Sequence, residues 1–328
     1  MTDSITQAAE LLRSGGVVAF PTETVYGLGA DAADPQAVAR IFAIKGRPAD
    51  HPLIVHLADH VQMTQWARKI PSVAFKLAER FWPGPLTLIL RRQQGVSNLV
   101  TGGQDTIGLR IPAHPVALAM LRSFGGGVAA PSANRFGRVS PTTAGHVQQE
   151  LGDNVDLILE GGDCRVGLES TILDLTGERP AILRPGGISA EQLSEALGET
   201  VGLCAATDKQ IRAPGMLKSH YAPNSPLQLV SLPELPDVIS IHVKTGTSVA
   251  VMTCFARQNF DLPGCRVIRM PTDPTGYGRT LYSTLRMLDE SAPGLILAEA
   301  PPDSPPWLAV NDRLCRAACC KHSTAKIQ

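Results

Sequence analysis

The chain reads as an α/β protein in two domains. Strand-length apolar runs alternate with segments of helical period along most of its length. The alternation lapses once, between about residues 198 and 226, and 328 residues at 44% hydrophobic and 18% charged content supply enough chain for two cores. The expected division is a first domain over 1–200, a linker over 201–226 and a smaller α/β domain over 227–328.

In chain order, Ser4 and Gln7 read as a capping pair ahead of Ile5, Ala8, Ala9, Leu11 and Leu12 at helical spacing, and Gly15 with Gly16 stops that helix. Residues 17–20 form a short buried strand, 36–42 a helix after Pro35, and 53–57 the next strand. Further strands fit 86–90, 106–111, 128–130, 157–159 and 171–175, with helices around 72–81, 115–123, 143–150 and 190–197. Beyond the linker, strands fit 227–230, 248–255, 266–270 and 295–298. A long helix spans 277–291, with Leu281, Leu285 and Leu288 at helical spacing, and a last one covers 309–320.

Net charge is zero overall, yet residues 40–138 carry thirteen Lys plus Arg against four Asp plus Glu, an excess of +9. Such an excess attracts anionic substrates or holds nucleic acid, and sign alone does not choose. The N-terminus lacks a basic-then-apolar leader and no apolar run approaches bilayer length, so a cytoplasmic protein is expected. Seven scattered cysteines fit reduced thiols rather than a disulfide framework. Cys315, Cys319, Cys320 and His322 cluster near the end at a spacing that fits no familiar zinc pattern, and no protein-side metal ligands are assigned.

Residues 45–56 read Lys-Gly-Arg-Pro-Ala-Asp-His-Pro-Leu-Ile-Val-His. Lys45 supplies a point charge and Arg47 a planar fork matched to phosphate or carboxylate oxygens, with His51 and His56 close by; a solvated basic surface is the alternative. Residues 20–29 place Thr22, Glu23, Thr24 and Tyr26 at the end of the first strand, where α/β folds expose side chains to ligands; the alternative is a polar turn with Glu23 solvated. Residues 130–141 carry Ser132, Asn134 and Ser140, small polar groups suited to phosphate and ribose oxygens, or to a plain Asx-type loop. Period-two alternation sets Thr106, Gly108 and Arg110 on one strand face, and an inward Arg needs an anionic partner. Residues 27–32 match a loose dinucleotide fingerprint, but Ala33-Asp34-Pro35 interrupts the helix it requires. A P-loop and a GxSxG elbow are both absent, so the chemistry should be positional and electrostatic.

Taken together, residues 21–29, 45–57, 82–87, 106–112, 131–134, 140–142, 169–172, 184–186 and 214–223 give the chain its family likeness. It resembles the YrdC-type threonylcarbamoyl-AMP synthase family, in the long form with a C-terminal extension. The resemblance implies a twisted mixed sheet with helices and a concave ligand cavity, followed by a smaller Rossmann-like α/β domain. It implies an enzyme that joins L-threonine, bicarbonate and ATP, with Mg2+, into threonylcarbamoyl-AMP and pyrophosphate. Threonine would be held by Thr24, His56, Arg110, the backbone around Ala130, and Ser170. ATP would be held by Lys45, Arg47, His51, Thr106, Ser132, Asn134, Ser140 and Arg184, with His220 and Tyr221 of the linker closing over the nucleotide. A downstream threonylcarbamoyl-transferase complex would take the product to an adenosine beside the tRNA anticodon.

Two other classes are compatible with parts of the sequence. The basic segment could contact tRNA or double-stranded RNA, and the second domain could serve as a protein-interaction platform. Aromatic residues are only 5% and do not interleave with the basic ones, which weakens base stacking. Arg47→Ala and Arg110→Ala are each expected to remove most pyrophosphate release with folding intact, checked by turnover beside circular dichroism.

Overall fold

The computed structural model describes residues 2–204, 211–216, 220–256 and 264–318. The chain forms two compact units. The first runs to Phe136 and resumes from Ser140 to Met216; the second takes Gly137–Val139 with the chain from His220 onward.

The first unit is built on ten strands: β1 Val18–Phe20, β2 Gly27–Asp31, β3 Ile54–His56, β4 Leu86–Arg91, β5 Thr106–Arg110, β6 Val128–Ala129, β7 Leu157–Ile158, β8 Thr171–Asp174, β9 Ala181–Arg184 and β10 Gly202–Leu203. Their order is β10-β9-β8-β4-β5-β3-β6-β2-β1-β7. The sheet is mixed: β3 runs parallel to β5 and β4 to β8, while β4 is antiparallel to β5 and β6 to both β2 and β3. The central strands β3 and β5 are buried along their whole length, so their polar members His56, Thr106 and Arg110 are buried with them.

Helix ends follow local chemistry. Asp34 caps the helix Pro35–Lys45 by accepting from Gln36 N at 2.8 Å, and Gly46, at φ +60°, ends it in the left-handed conformation. That stop fixes Lys45 in the last helical turn and turns the chain toward Arg47. Ser189 and Gln192 make a reciprocal capping box on Ala190–Leu197. The first helix differs from expectation: it starts at Thr2, so Ser4 lies inside its first turn and does not cap it.

The largest departure is β2. The glycines at 27 and 29 belong to a buried strand, not a phosphate loop. A Cβ on Gly29 would sit 2.7 Å from Val128 Cγ1 and 2.8 Å from Phe20 Cε1, so glycine lets neighbouring strands pack closely. Strand β9 and the short β10 were also not expected, and β10 pairs with β9 inside the stretch read as linker.

In the second unit, β11 Leu227–Val230, β12 Val249–Thr253, β13 Cys265–Arg269 and β14 Leu295–Glu299 form a parallel sheet in the order β11-β14-β12-β13. Helices Leu235–Lys244, Pro274–Glu290 and Leu308–Ala318 complete it. The first of these was missed because its β-branched run Val238-Ile239-Ser240-Ile241 favours strand by propensity, whereas burial of Leu235 and Ile239 four residues apart decides for helix. At the carboxyl ends of β12 and β14, where parallel sheets open for ligands, Glu299 occupies the space itself. Its carboxylate accepts from Thr253 Oγ1 at 2.5 Å and from the amides of Cys254 and Phe255 at 2.8 and 3.0 Å. Glu299→Ala is expected to cost the second unit about 3 kcal/mol, read as an earlier urea transition with the first unit's signal unmoved.

Candidate active site

Four elements of the first unit converge on Arg110. It ends β5, and the parallel register places it opposite His56 at the end of β3. Its Nε donates to Gly84 O at 3.2 Å, its Nη1 to Thr24 Oγ1 at 3.0 Å, and its Nη2 lies 2.6 Å from Glu23 Oε1. The two side chains are 5% and 7% exposed. Glu23 Oε2 also accepts from Ala113 N at 2.9 Å. Glu23 is therefore a buried counterion, not a solvated turn residue. The turn that carries it is held by Thr22, whose Oγ1 donates to Val25 O at 2.6 Å and accepts from Thr24 N and Val25 N.

This pair changes one expectation. Arg110→Ala leaves a carboxylate buried without its cation, at a cost of about 3–5 kcal/mol, so that variant does not keep wild-type stability.

His56 is buried, sits edge-on to Phe20 at 5.8 Å, and has no protein partner at Nδ1. Burial and the Arg110 charge push it down to about 3, so it is a neutral imidazole at physiological pH. Ser170 Oγ lies 2.8 Å from Thr87 Oγ1, and Ala130 N donates to Ile54 O at 2.9 Å.

A second group gathers around Lys45. Its Nζ donates to Ser132 O at 2.6 Å and to Asn134 O, tying the helix end to the segment after β6. Burial and neighbouring Arg47 push the amine well below its ordinary value. Asn134 Nδ2 donates to Arg135 O at 2.7 Å. Arg47 Nη2 donates to Pro52 O at 2.9 Å, and its guanidinium lies over the Phe136 ring at 5.7 Å. His51 meets the same ring edge-on at 5.2 Å. Burial and Arg47 lower its pKa below the usual histidine value, so His51 offers a neutral imidazole rather than a phosphate-facing cation.

Thr106 opens β5 and shares a strand face with Arg110, about 13 Å away at the usual strand rise. Ser140 Oγ donates to Glu169 Oε1 at 2.6 Å. Arg184 grips the Ser170 carbonyl through Nε at 3.1 Å and Nη2 at 2.8 Å, and reaches Pro214 O through Nη1 at 3.0 Å. A Cβ on Gly186 would fall 2.3 Å from Thr171 N, so this turn can close only on glycine. Sequence reasoning picked out Glu23 as ligand-facing or solvated and Glu169 as a polar group beside a strand without finding the partner of either, and it gave Thr87 no role. For Glu23 the signal was present, since an inward Arg demands an acid and Glu23 is the one carboxylate in the adjoining 20–29 segment.

His220 and Tyr221 belong to the second unit. There Tyr221, at φ +64°, stacks on Tyr282 at 5.7 Å under the Arg313 guanidinium at 5.3 Å, while His220 N donates to Arg316 O. Cys319, Cys320 and His322 lie outside the described residues.

Residues 10–186 match a family model covering the Sua5, YciO and YrdC proteins, described as "Telomere recombination". The chain belongs to the Sua5/YciO/YrdC family. Residues 188–319 match the model described as "Threonylcarbamoyl-AMP synthase, C-terminal domain". Among relatives of this family, the threonylcarbamoyl-AMP synthase of Pyrococcus abyssi is 41% identical over 320 residues, spanning 95% of this chain and 93% of its own. That of Bacillus subtilis is 42% identical over 325 residues, spanning 96% and 92%. The crystal structure of the P. abyssi protein complexed with L-threonine matches with a TM-score of 0.90 at 40% identity, covering 97% of this chain and 95% of that one. The two-domain α/β architecture with a mixed sheet is thus shared with that P. abyssi protein.

His56 carries a pH consequence. Below its ordinary value the unfolded chain binds a proton that the folded chain refuses, so stability present above about pH 6.5 is lost as pH falls toward 3. The slope is about 1.4 kcal/mol per pH unit for one proton. His56→Gln is expected to flatten the stability profile by that slope between pH 6 and 4, measured by urea denaturation.

Proposed function

We propose that this chain is an L-threonylcarbamoyladenylate synthase, a nucleotidyltransferase acting in the cytoplasm at the first step of threonylcarbamoyladenosine formation in tRNA. The observation that carries the reading is the convergence of Thr24, His56 and Arg110, the expected threonine ligands, in a family whose P. abyssi member binds L-threonine.

In this reading the threonine amine adds to bicarbonate with loss of water, giving a carbamate. A carbamate oxygen then attacks the α-phosphorus of ATP, the bond from that phosphorus to the bridging oxygen breaks, and pyrophosphate leaves. No protein nucleophile takes part. The protein aligns two anions and offsets their charge, the work of Arg47 and Lys45 at the phosphates and Arg110 at the threonine carboxylate. Burial and Arg47 lower the Lys45 pKa, and phosphate charge beside the amine would act in the opposite direction.

Magnesium enters as part of the substrate, bound to the ATP phosphates. Among the described residues, no group of three His, Cys, Asp or Glu side chains comes together to hold an ion by itself. Nor is any described helix long and apolar enough to cross a membrane. The product passes to a transferase that places the threonylcarbamoyl group on tRNA.

The test is pyrophosphate release, with threonine and bicarbonate omitted in turn. Release is expected only with ATP, threonine and bicarbonate together; release that ignores threonine would assign a different acceptor.

A further inference from the structure

Glu23 is a buried acid of the site that the reaction above leaves without a role, and it is the one paired with Arg110. A carboxylate offers about four acceptor positions and a guanidinium five donors. Glu23 accepts from Ala113 N through Oε2, and Arg110 donates to Gly84 and Thr24 through Nε and Nη1. The remaining atoms, Glu23 Oε1 and Arg110 Nη2, lie 2.6 Å apart, both buried and without a hydrogen bond among the described residues. Acceptor positions on the carboxylate and donors on the guanidinium are thus left over at this contact.

The titratable groups packed against the pair are uncharged at physiological pH, and the charges beyond them are Asp163 and Arg165. His56 is neutral at physiological pH. The Cys164 thiol, which senses both Glu23 and Arg110, is pushed up to about 12 by burial. His114, close to Glu23, is lowered by burial and accepts at Nδ1 from Val116 N, as a neutral ring does. The pair itself is one positive and one negative group, and the further charges that bear on its neighbours, Asp163 and Arg165, are again one of each. That pattern matches neither a plain carboxylic acid, which would meet Glu23, nor a plain amine, which would meet Arg110. It matches a zwitterion.

We propose that Arg110 and Glu23 together read the substrate as a free α-amino acid, Arg110 taking its carboxylate and Glu23 its ammonium, so that Glu23 determines specificity. This rests on threonine being the substrate of the site. A residue that only braced Arg110 would affect every carboxylate ligand alike; an ammonium partner affects only ligands that carry the ammonium.

The experiment compares binding of L-threonine with that of 3-hydroxybutyrate, the same skeleton without the amine, by equilibrium dialysis in the absence of ATP. Wild-type protein is expected to favour threonine by at least about 30-fold, the worth of a charge-assisted hydrogen bond of about 2 kcal/mol. Glu23→Gln is expected to lose about that factor for threonine while 3-hydroxybutyrate changes less than about threefold, and Glu23→Asp to recover part of the difference. Equal losses for both ligands would reduce Glu23 to a brace and overturn the proposal. So would wild-type protein that binds the two ligands equally, a comparison that needs no folded variant. A wild-type protein that discriminates as expected yet releases no pyrophosphate would fail the reaction and leave the zwitterion reading standing.

Discussion

The buried ion pair between Arg110 and Glu23 is the constraint around which the first unit is arranged. An arginine pointing into a central strand face cannot stay there alone, because a desolvated guanidinium is costly unless it is paired and hydrogen-bonded. The chain meets that need from several directions: the carboxylate and Thr24 from the turn between β1 and β2, and the Gly84 carbonyl from the residues before β4. Each contact also fixes an element. The Thr22-Thr24 turn, the approach to β4 and the exit from β5 are registered on one guanidinium.

The same pair corrects what charge counting suggests. The excess of +9 over residues 40–138 treats that segment as if its neighbours carried nothing. In the fold, Arg110 meets Glu23, Arg40 meets Asp156 at 2.8 Å and Arg80 meets Glu195 at 2.9 Å, all acids from outside the segment. Inside it, Asp105 serves Arg68 at 2.9 Å with Arg92 and Arg91 further off, around a cavity of about 440 Å³. Much of the apparent field is therefore local pairing. The cations that bear on the candidate site are few: Arg47, Lys45 and the half of Arg110 that Glu23 leaves available.

How much of this was legible depended on the range of the signal. Helices such as Ser72–Phe81 and Ala190–Leu197 carry their period locally, the second with its own capping box, and the sequence places both at their observed bounds. The strand Gly27–Asp31 carries no such signal, because its glycines answer to Phe20 and Val128 on neighbouring strands. Helix Leu235–Lys244 is set by burial against local propensity. At the site, residue types were readable one by one, but their uses were not. Lys45 looks like a surface cation and is buried on two carbonyls; His51 looks like a charge and is neutral; Arg184 looks like a phosphate ligand and holds the Ser170 and Pro214 carbonyls. Partner identity is a long-range property, and Arg110 shows it best, with its acid 87 residues earlier in the chain.

Strand β5 then gives the site its polarity. Its face runs about 13 Å from Arg110 to Thr106, with a matched pair of opposite charges at the first end. A zwitterionic amino acid adds no net charge to the first end. Once its amine becomes a carbamate the ligand gains negative charge, and Glu23 no longer has an ammonium to hold. On the zwitterion reading the fixed carboxylate holds the substrate's ammonium and disfavours the carbamate in the same position. It therefore contributes to selecting the substrate and not to lowering the barrier, which needs interactions that are stronger in the transition state.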